Sequence, residues 1–101
     1  MDINITIISG RIAAEPEVTY HASGTTSVDI LVTNRSAKPR RRIDVLPVTM
    51  WDPSEELIDD LRDSRGMGVL VTGSVQRRFW SAIAGRNSRV VIVADSIELD
   101  A

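Results

Sequence analysis

Hydrophobic and polar positions alternate most cleanly over residues 26–34, where Val28, Ile30 and Val32 fall on one side and Asp29, Leu31 and Thr33 on the other. A period of two with β-branched residues on one face predicts a half-buried strand. Residues 3–12 (INITIISGRI) are isoleucine-rich with a glycine inside, which predicts a long strand bent or bulged at Gly10. Pro16 in AEPEV breaks that strand, and HASGT supplies a turn. Residues 43–51 (IDVLPVTMW) return to strand; Pro47 inside them argues for an edge or a bulge, because proline cannot donate to a ladder. Residues 69–80 and 89–99 predict two further strands, with SAIAGRNS (81–88) as the tip of a hairpin between them.

The periodicity changes in WDPSEELIDDLRDSRG. Asp52 as N-cap, Pro53 at the first helical position and Glu55 three residues after the cap predict a helix start. Leu57, Ile58 and Leu61 give a narrow apolar stripe, and Gly66 or Gly68 ends the element. The resulting order is three strands, one short helix and two strands in 101 residues. That is the layout of an all-β, five-stranded OB-fold, a Greek-key barrel with one short helix between strands three and four; an open α+β sandwich shares the order. The length predicts a single domain over residues 1–101.

Charge sharpens the picture. A net charge of −2 conceals a polarised chain: nine of the twelve Lys and Arg residues lie in 35–42 and 77–89. No acid stands between Asp29 and Asp44 or between Asp63 and Asp95, whereas 52–63 carries Asp52, Glu55, Glu56, Asp59, Asp60 and Asp63. Local potential, not net charge, steers an anionic ligand. The acids belong on the solvated face of the helix, where nothing apolar would shift a carboxyl toward catalysis. SAKPRRR (36–42), apolar only at Ala37, is a basic loop.

The segment VQRRFW (75–80) joins two arginines to two large aromatics at the end of a strand. Period two places Val69, Val71, Gly73 and Val75 on the core side, and Leu70, Thr72, Ser74, Gln76, Arg78 and Trp80 on the other. Arg77 and Phe79 then fall past the end of the core. Aromatics interleaved with arginine suit single-stranded nucleic acid, whose bases stack on any π-face while guanidinium groups meet phosphate. Packing of Trp80 beneath the hairpin, or against another subunit, is the competing reading.

The order and spacing of these pieces resemble the bacterial single-stranded DNA-binding protein family. GRIAAEPEVTYHASG (10–24) carries Gly10, Arg11, Pro16, Glu17, Tyr20 and Gly24 at places matching that family's opening motif. SVDILVTNR (27–35), IDVLPVTMW, GSVQRRFW (73–80) and VIVADSIEL (91–99) are similar to its later strands, so the likeness spans nearly the whole chain. It implies an OB-fold that assembles as a homo-oligomer, with a tetramer favoured over a dimer. It also implies base stacking by Trp80 and Trp51 and a strand path along Arg35 and the loop of Lys38, Arg40, Arg41 and Arg42. With Arg11, Arg77, Arg78, Phe79 and Arg86 these make the candidate nucleic-acid-binding set. Two of the family's stacking positions are replaced here, by Lys38 or its neighbours and by Val45, and the 36–42 loop is short. Members of that family continue into an acidic tail that recruits repair and replication enzymes; with only Glu98 and Asp100 near Ala101, a short form without that tail is the expectation here.

Three function classes follow. The first is non-sequence-specific binding of single-stranded DNA in replication, recombination or repair. The second is an assembly module resembling the tail-less primosomal replication protein N, acting through replication or primosome proteins, with outward Leu31, Val90 and Ile92 available to partners. The third, an enzyme, lacks support: there is no cysteine, His21 alone in a turn, and no phosphate-binding glycine loop. No cofactor, metal or membrane partner is expected. The start MDINITIISGR has neither the basic front nor the apolar middle of a secretory signal, which predicts an intracellular protein; the family resemblance implies a bacterial cytoplasmic, nucleoid-associated one.

Overall fold

The computed structural model describes residues 1–82 and 85–100, leaving aside the side chains of residues 80–82 and 86. Its elements are β1 (Thr6–Ile12), β2 (Glu17–Tyr20), β3 (Thr26–Ser36), β4 (Arg42–Trp51), α1 (Glu55–Leu61), β5 (Gly68–Ala82) and β6 (Gly85–Asp100). β1 pairs antiparallel with β5, β5 with β6, and β3 with β4, while β4 meets β6 in parallel. β1 also reaches β3 through Arg11↔Thr33 and Ile12↔Val32, and that contact closes five strands into a barrel. The OB-fold expected from the element order is the fold found.

The closure explains Gly10. β1 lies against β5 from Thr6 to Arg11 and turns onto β3 at Arg11, so the chain crosses β3 closely. A Cβ at Gly10 would run into the Thr33 carbonyl and come within 3.0 Å of Val32 Cγ1. The strand bends there without a break in pairing. The register shift lies instead between Thr72 and Gly73, where Asp95 of β6 is the unpaired extra residue. The extra residue belongs to β6, so β5 keeps its own phase, but Val75, expected on the core side with Val69, Val71 and Gly73, is 40% exposed.

Inside the barrel Val28, Ile30 and Val32 of β3 meet Val69 and Val71 of β5, Val48 of β4 and Ile92, Ala94 and Ile97 of β6. The inward and outward sides of β3 follow the sequence pattern. α1 lays Ile58 and Leu61 over this core; burying a side chain as fully as Leu61, 1% exposed, contributes about 1.5–3 kcal/mol. The acids Glu55, Glu56, Asp59 and Asp60 stand on its exposed side.

Four further expectations change. EVTY is a strand, β2, paired with β3 from Glu17↔Asp29 to Tyr20↔Thr26, along the same edge of β3 that β1 uses further on. The helix cap is Ser54, whose Oγ accepts from Leu57 N at 3.1 Å, and Arg62 ends the element before either glycine. β6 begins at Gly85, so the hairpin arms run beyond the expected tip at 81–88. Ile92 is a core residue, 8% exposed, whereas Leu31 and Val90 do face outward. Pro47 fits its edge reading, since β6 pairs with β4 only at Val48 and Thr49 and leaves the stretch before them open on that side.

Candidate nucleic-acid interface

β4 ends on Trp51, opposite Ser27 of β3. The chain leaves the strand through Asp52, held at φ 50, whose N–H donates to Thr26 O at 2.7 Å. The Asp52 carboxylate accepts from Thr26 N at 3.3 Å, so both ends of this residue tie β4 to the start of β3. The indole it leaves behind is 45% exposed. Arg78 of β5 places its guanidinium carbon 5.8 Å from the ring centroid, within cation–π range. His21 lies on the same indole, with ring centroids 5.5 Å apart and planes tilted by 34°. The β2–β3 turn puts it there: His21 N donates to Thr25 O at 2.8 Å and Gly24 N to His21 O at 3.0 Å. His21 Nε2 is 2.9 Å from Ser27 Oγ, either partner donating according to the tautomer.

The β5–β6 hairpin supplies the charge. Its register sets Arg78 directly opposite Arg89, and Arg77 stands beside them. Like charges facing one another across a ladder destabilise it. No acid stands between Asp63 and Asp95 to offset them, and among the described residues Arg77 finds the Ser88 hydroxyl, donating through Nη1 at 3.1 Å. Among the described residues the ion pairs are Arg42–Asp44 and Arg62–Asp59, so these hairpin cations have no carboxylate within 4.0 Å. An arginine cluster maintained in that state suits an external anion. Phe79, past the end of the core as its position implies, is 57% exposed. Trp80 stands at the Asn87 register position and Arg86 opposite Ser81, but the side chains of both lie outside the described residues.

The outer surface of β3 and β4 connects Trp51 to the basic loop. Cross-strand pairs Leu31↔Pro47, Thr33↔Val45 and Arg35↔Ile43 share this side, with Leu31, Ile43 and Val45 exposed. At its far end Lys38, Arg40 and Arg41 are exposed around a cis Lys38–Pro39 peptide. Arg42 differs from them: Nε and Nη2 donate to the two Asp44 carboxylate oxygens, each at 3.0 Å. That hydrogen bond, with the Asp44 charge behind it, holds the guanidinium above its ordinary value and keeps Arg42 occupied. Arg11 sits elsewhere. Its Nη1 donates to Gly66 O at 3.0 Å, in a cleft shared with Arg35, Arg65, Glu98 and Asp100.

The structure therefore gathers Trp51 and Arg78 into one cluster, extends it through Arg77 and Phe79, and leaves Arg11 apart. Two neighbours escaped the sequence. His21 signalled only a turn. Arg89, expected merely within a return strand, lines a small cleft with Asp29, Leu31, Pro47 and Thr49. Among the described residues no group of three or more His, Asp or Glu could hold a metal ion.

The family model described as the single-strand binding protein family matches residues 3–100. Single-stranded DNA-binding protein 1 of Nostoc sp. (strain PCC 7120) is 29% identical over 102 residues, covering 98% of this chain and 84% of the relative. The single-stranded DNA-binding protein of Anabaena variabilis gives the same figures, 29% identity with 98% and 84% coverage. Among solved structures, a Plasmodium falciparum SSB complex with ssDNA superposes with a TM-score of 0.75 over 98% of this chain and 94% of that one, at 18% identity, and shares the fold. With the family model matching almost end to end, the chain belongs to the single-strand binding protein family.

Proposed function

We propose that the chain binds single-stranded DNA without reading its sequence, as a non-enzymatic protein serving replication, recombination or repair. The observation that carries this is the half-exposed Trp51 indole beside Arg78, which with Arg77 and Arg89 has no carboxylate partner among the described residues. A base stacks on an aromatic ring for about 1–3 kcal/mol whatever its identity, and guanidinium groups hold the phosphates between bases. The relatives named for single-stranded DNA support the same partner. The strand runs from the hairpin over Trp51 and along Leu31, Val45 and Ile43 toward Lys38, Arg40 and Arg41. Aliphatic side chains thus occupy the stretch between the stacking site and the loop.

Assembly into a homo-oligomer, with a tetramer favoured, belongs to this reading. Ile3, Ile5 and Ile7 stand 83%, 70% and 66% exposed in alternate positions leading into and along β1. An apolar row of that kind suits a partner surface. It also favours the second reading, an assembly module of primosomal type that meets other proteins more than DNA. Among the described residues no helix is long and apolar enough to cross a membrane. A cytoplasmic, nucleoid-associated location accords with a DNA partner.

Titration of the tryptophan fluorescence with an oligothymidylate separates the two readings. Single-strand binding predicts saturable quenching that weakens with salt, reduced by Trp51→Ala and Trp80→Ala, and not reproduced by a duplex of equal length. A flat titration from a folded, oligomeric protein would refute the single-strand reading and make the assembly module the one to pursue.

A further inference from the structure

His21 is the chain's one histidine, and the fold carries it from a turn onto the indole at the centre of the proposed interface. Three observations make this more than proximity. The imidazole is half-buried, although its neighbours Ala22, Ser23 and Gly24 are exposed. Its Nε2 is engaged by Ser27 Oγ at 2.9 Å, and Ser27, itself 3% exposed, is the residue paired across from Trp51. The ring also sits against an indole that Arg78 contacts as well, so two cation-capable groups share one π-surface.

We propose that His21 is a positioning residue for Trp51 whose protonation is coupled to strand binding. The proposal rests on the single-strand reading above. Its first part is mechanical: removing the imidazole takes away a ring packed on the indole and leaves the indole freer to turn away from a stacked base. Its second part is electrostatic. The side chains that contact His21 are the Ser27 hydroxyl of β3 and the Trp51 indole ending β4, and the Arg78 guanidinium of β5 lies on that same indole. Arriving phosphates neutralise Arg78 and add negative charge of their own, so the bound state favours the protonated ring. Histidine changes charge between pH 5 and 8, and linkage requires that a proton taken up on binding strengthen binding as pH falls.

The test uses the intact protein and a fluorescein-labelled oligothymidylate, read by anisotropy at fixed ionic strength at about pH 5.5 and about pH 8. Wild type is compared with His21→Phe, which keeps a ring against Trp51 without a titrating proton, and with His21→Ala, which removes both; circular dichroism verifies the fold of each. Wild type is expected to bind more tightly at the acid end, by up to about tenfold for each unit of pH over which the bound state retains the proton longer than the free state. His21→Phe should match wild type at the alkaline end and lose the histidine part of the pH response. His21→Ala should bind several-fold more weakly at both. The α-amino group contributes equally in all three proteins and cancels in the comparison. A His21→Phe response as steep as wild type overturns the proton coupling, and a His21→Ala affinity equal to wild type overturns the positioning role. Wild type that binds no oligothymidylate at either pH overturns the single-strand reading itself, and this inference with it.

Discussion

The arginine pair Arg78↔Arg89 allows the binding face to be tested through two opposite effects of one change. Replacing both with glutamine leaves chain length and polarity similar while removing two positive charges that face each other across the β5–β6 ladder. Relieving a directly opposed like-charge pair should stabilise the free protein by roughly 0.5 kcal/mol. Binding should move the other way. If each arginine neutralises one phosphate, each contributes about 0.7 to the slope of log affinity against log salt, and the pair about 1.4. Over a fourfold rise in salt the wild type should then lose about seven times more affinity than the variant. The assay is anisotropy of a labelled oligothymidylate across a salt series, with urea unfolding of the free proteins alongside. An unchanged slope would refute the reasoning, because the hairpin cations would not be meeting phosphate. A lower slope with a destabilised protein would refute the other half, that these charges are uncompensated before DNA arrives.

Other expectations are local. Gly10→Ala should destabilise by about 3 kcal/mol or more in denaturant unfolding, since the added methyl meets the Thr33 backbone where β1 crosses β3 and neither strand can give way without opening the barrel. Ser54→Ala should cost about 1 kcal/mol by the same measurement, because Leu57 N loses its capping partner, whereas Asp52→Ala should act through the β3–β4 junction and not through the helix cap. Asp44→Ala frees Arg42 from its bidentate ion pair and should raise oligothymidylate affinity and steepen its salt dependence, with little change in stability because the pair is solvent-exposed.

The sequence carried the barrel well wherever one strand face is buried and the other is not. Val28, Ile30 and Val32 alternate with polar or exposed neighbours, and their inward side follows from that alone. The pattern failed where burial is not alternating. Val90 to Val93 is an unbroken apolar run, and β6 is bounded by β5 on one edge and β4 on the other, so Val91 and Ile92 are both buried and parity could not tell which side Ile92 takes. β2 escaped because only Val18 and the preceding Pro16 are even partly covered in Glu15–Tyr20, too little for a periodic signal. Asp52 and Pro53 imitate a helix start. The structure uses Asp52 to fasten Trp51 to β3 and leaves capping to Ser54, a choice set by a hydrogen bond to Thr26 that no local pattern encodes.

Much the same division holds for the interface. The basic windows, the exposed Phe79 and the outward side of Arg78 followed from spacing and alternation. The meeting of Arg78 with Trp51 did not, because it depends on a contact with a residue 27 positions earlier in the numbering. His21 and Arg89 were invisible for the same reason. One reads as a turn and the other as the start of a strand until the barrel closes and brings both to the face carrying Trp51 and Thr49.

The central claim is that a single strand lies across Trp51 and the β5–β6 hairpin. Photocrosslinking with an oligodeoxynucleotide containing 5-iodouracil, followed by peptide mapping, tests it most directly. Crosslinks are expected at Trp51 and within residues 75–80, with few on the acidic face of α1. Crosslinks concentrated in the cleft of Arg11 and Arg65, or absent altogether at saturating oligonucleotide, would contradict it.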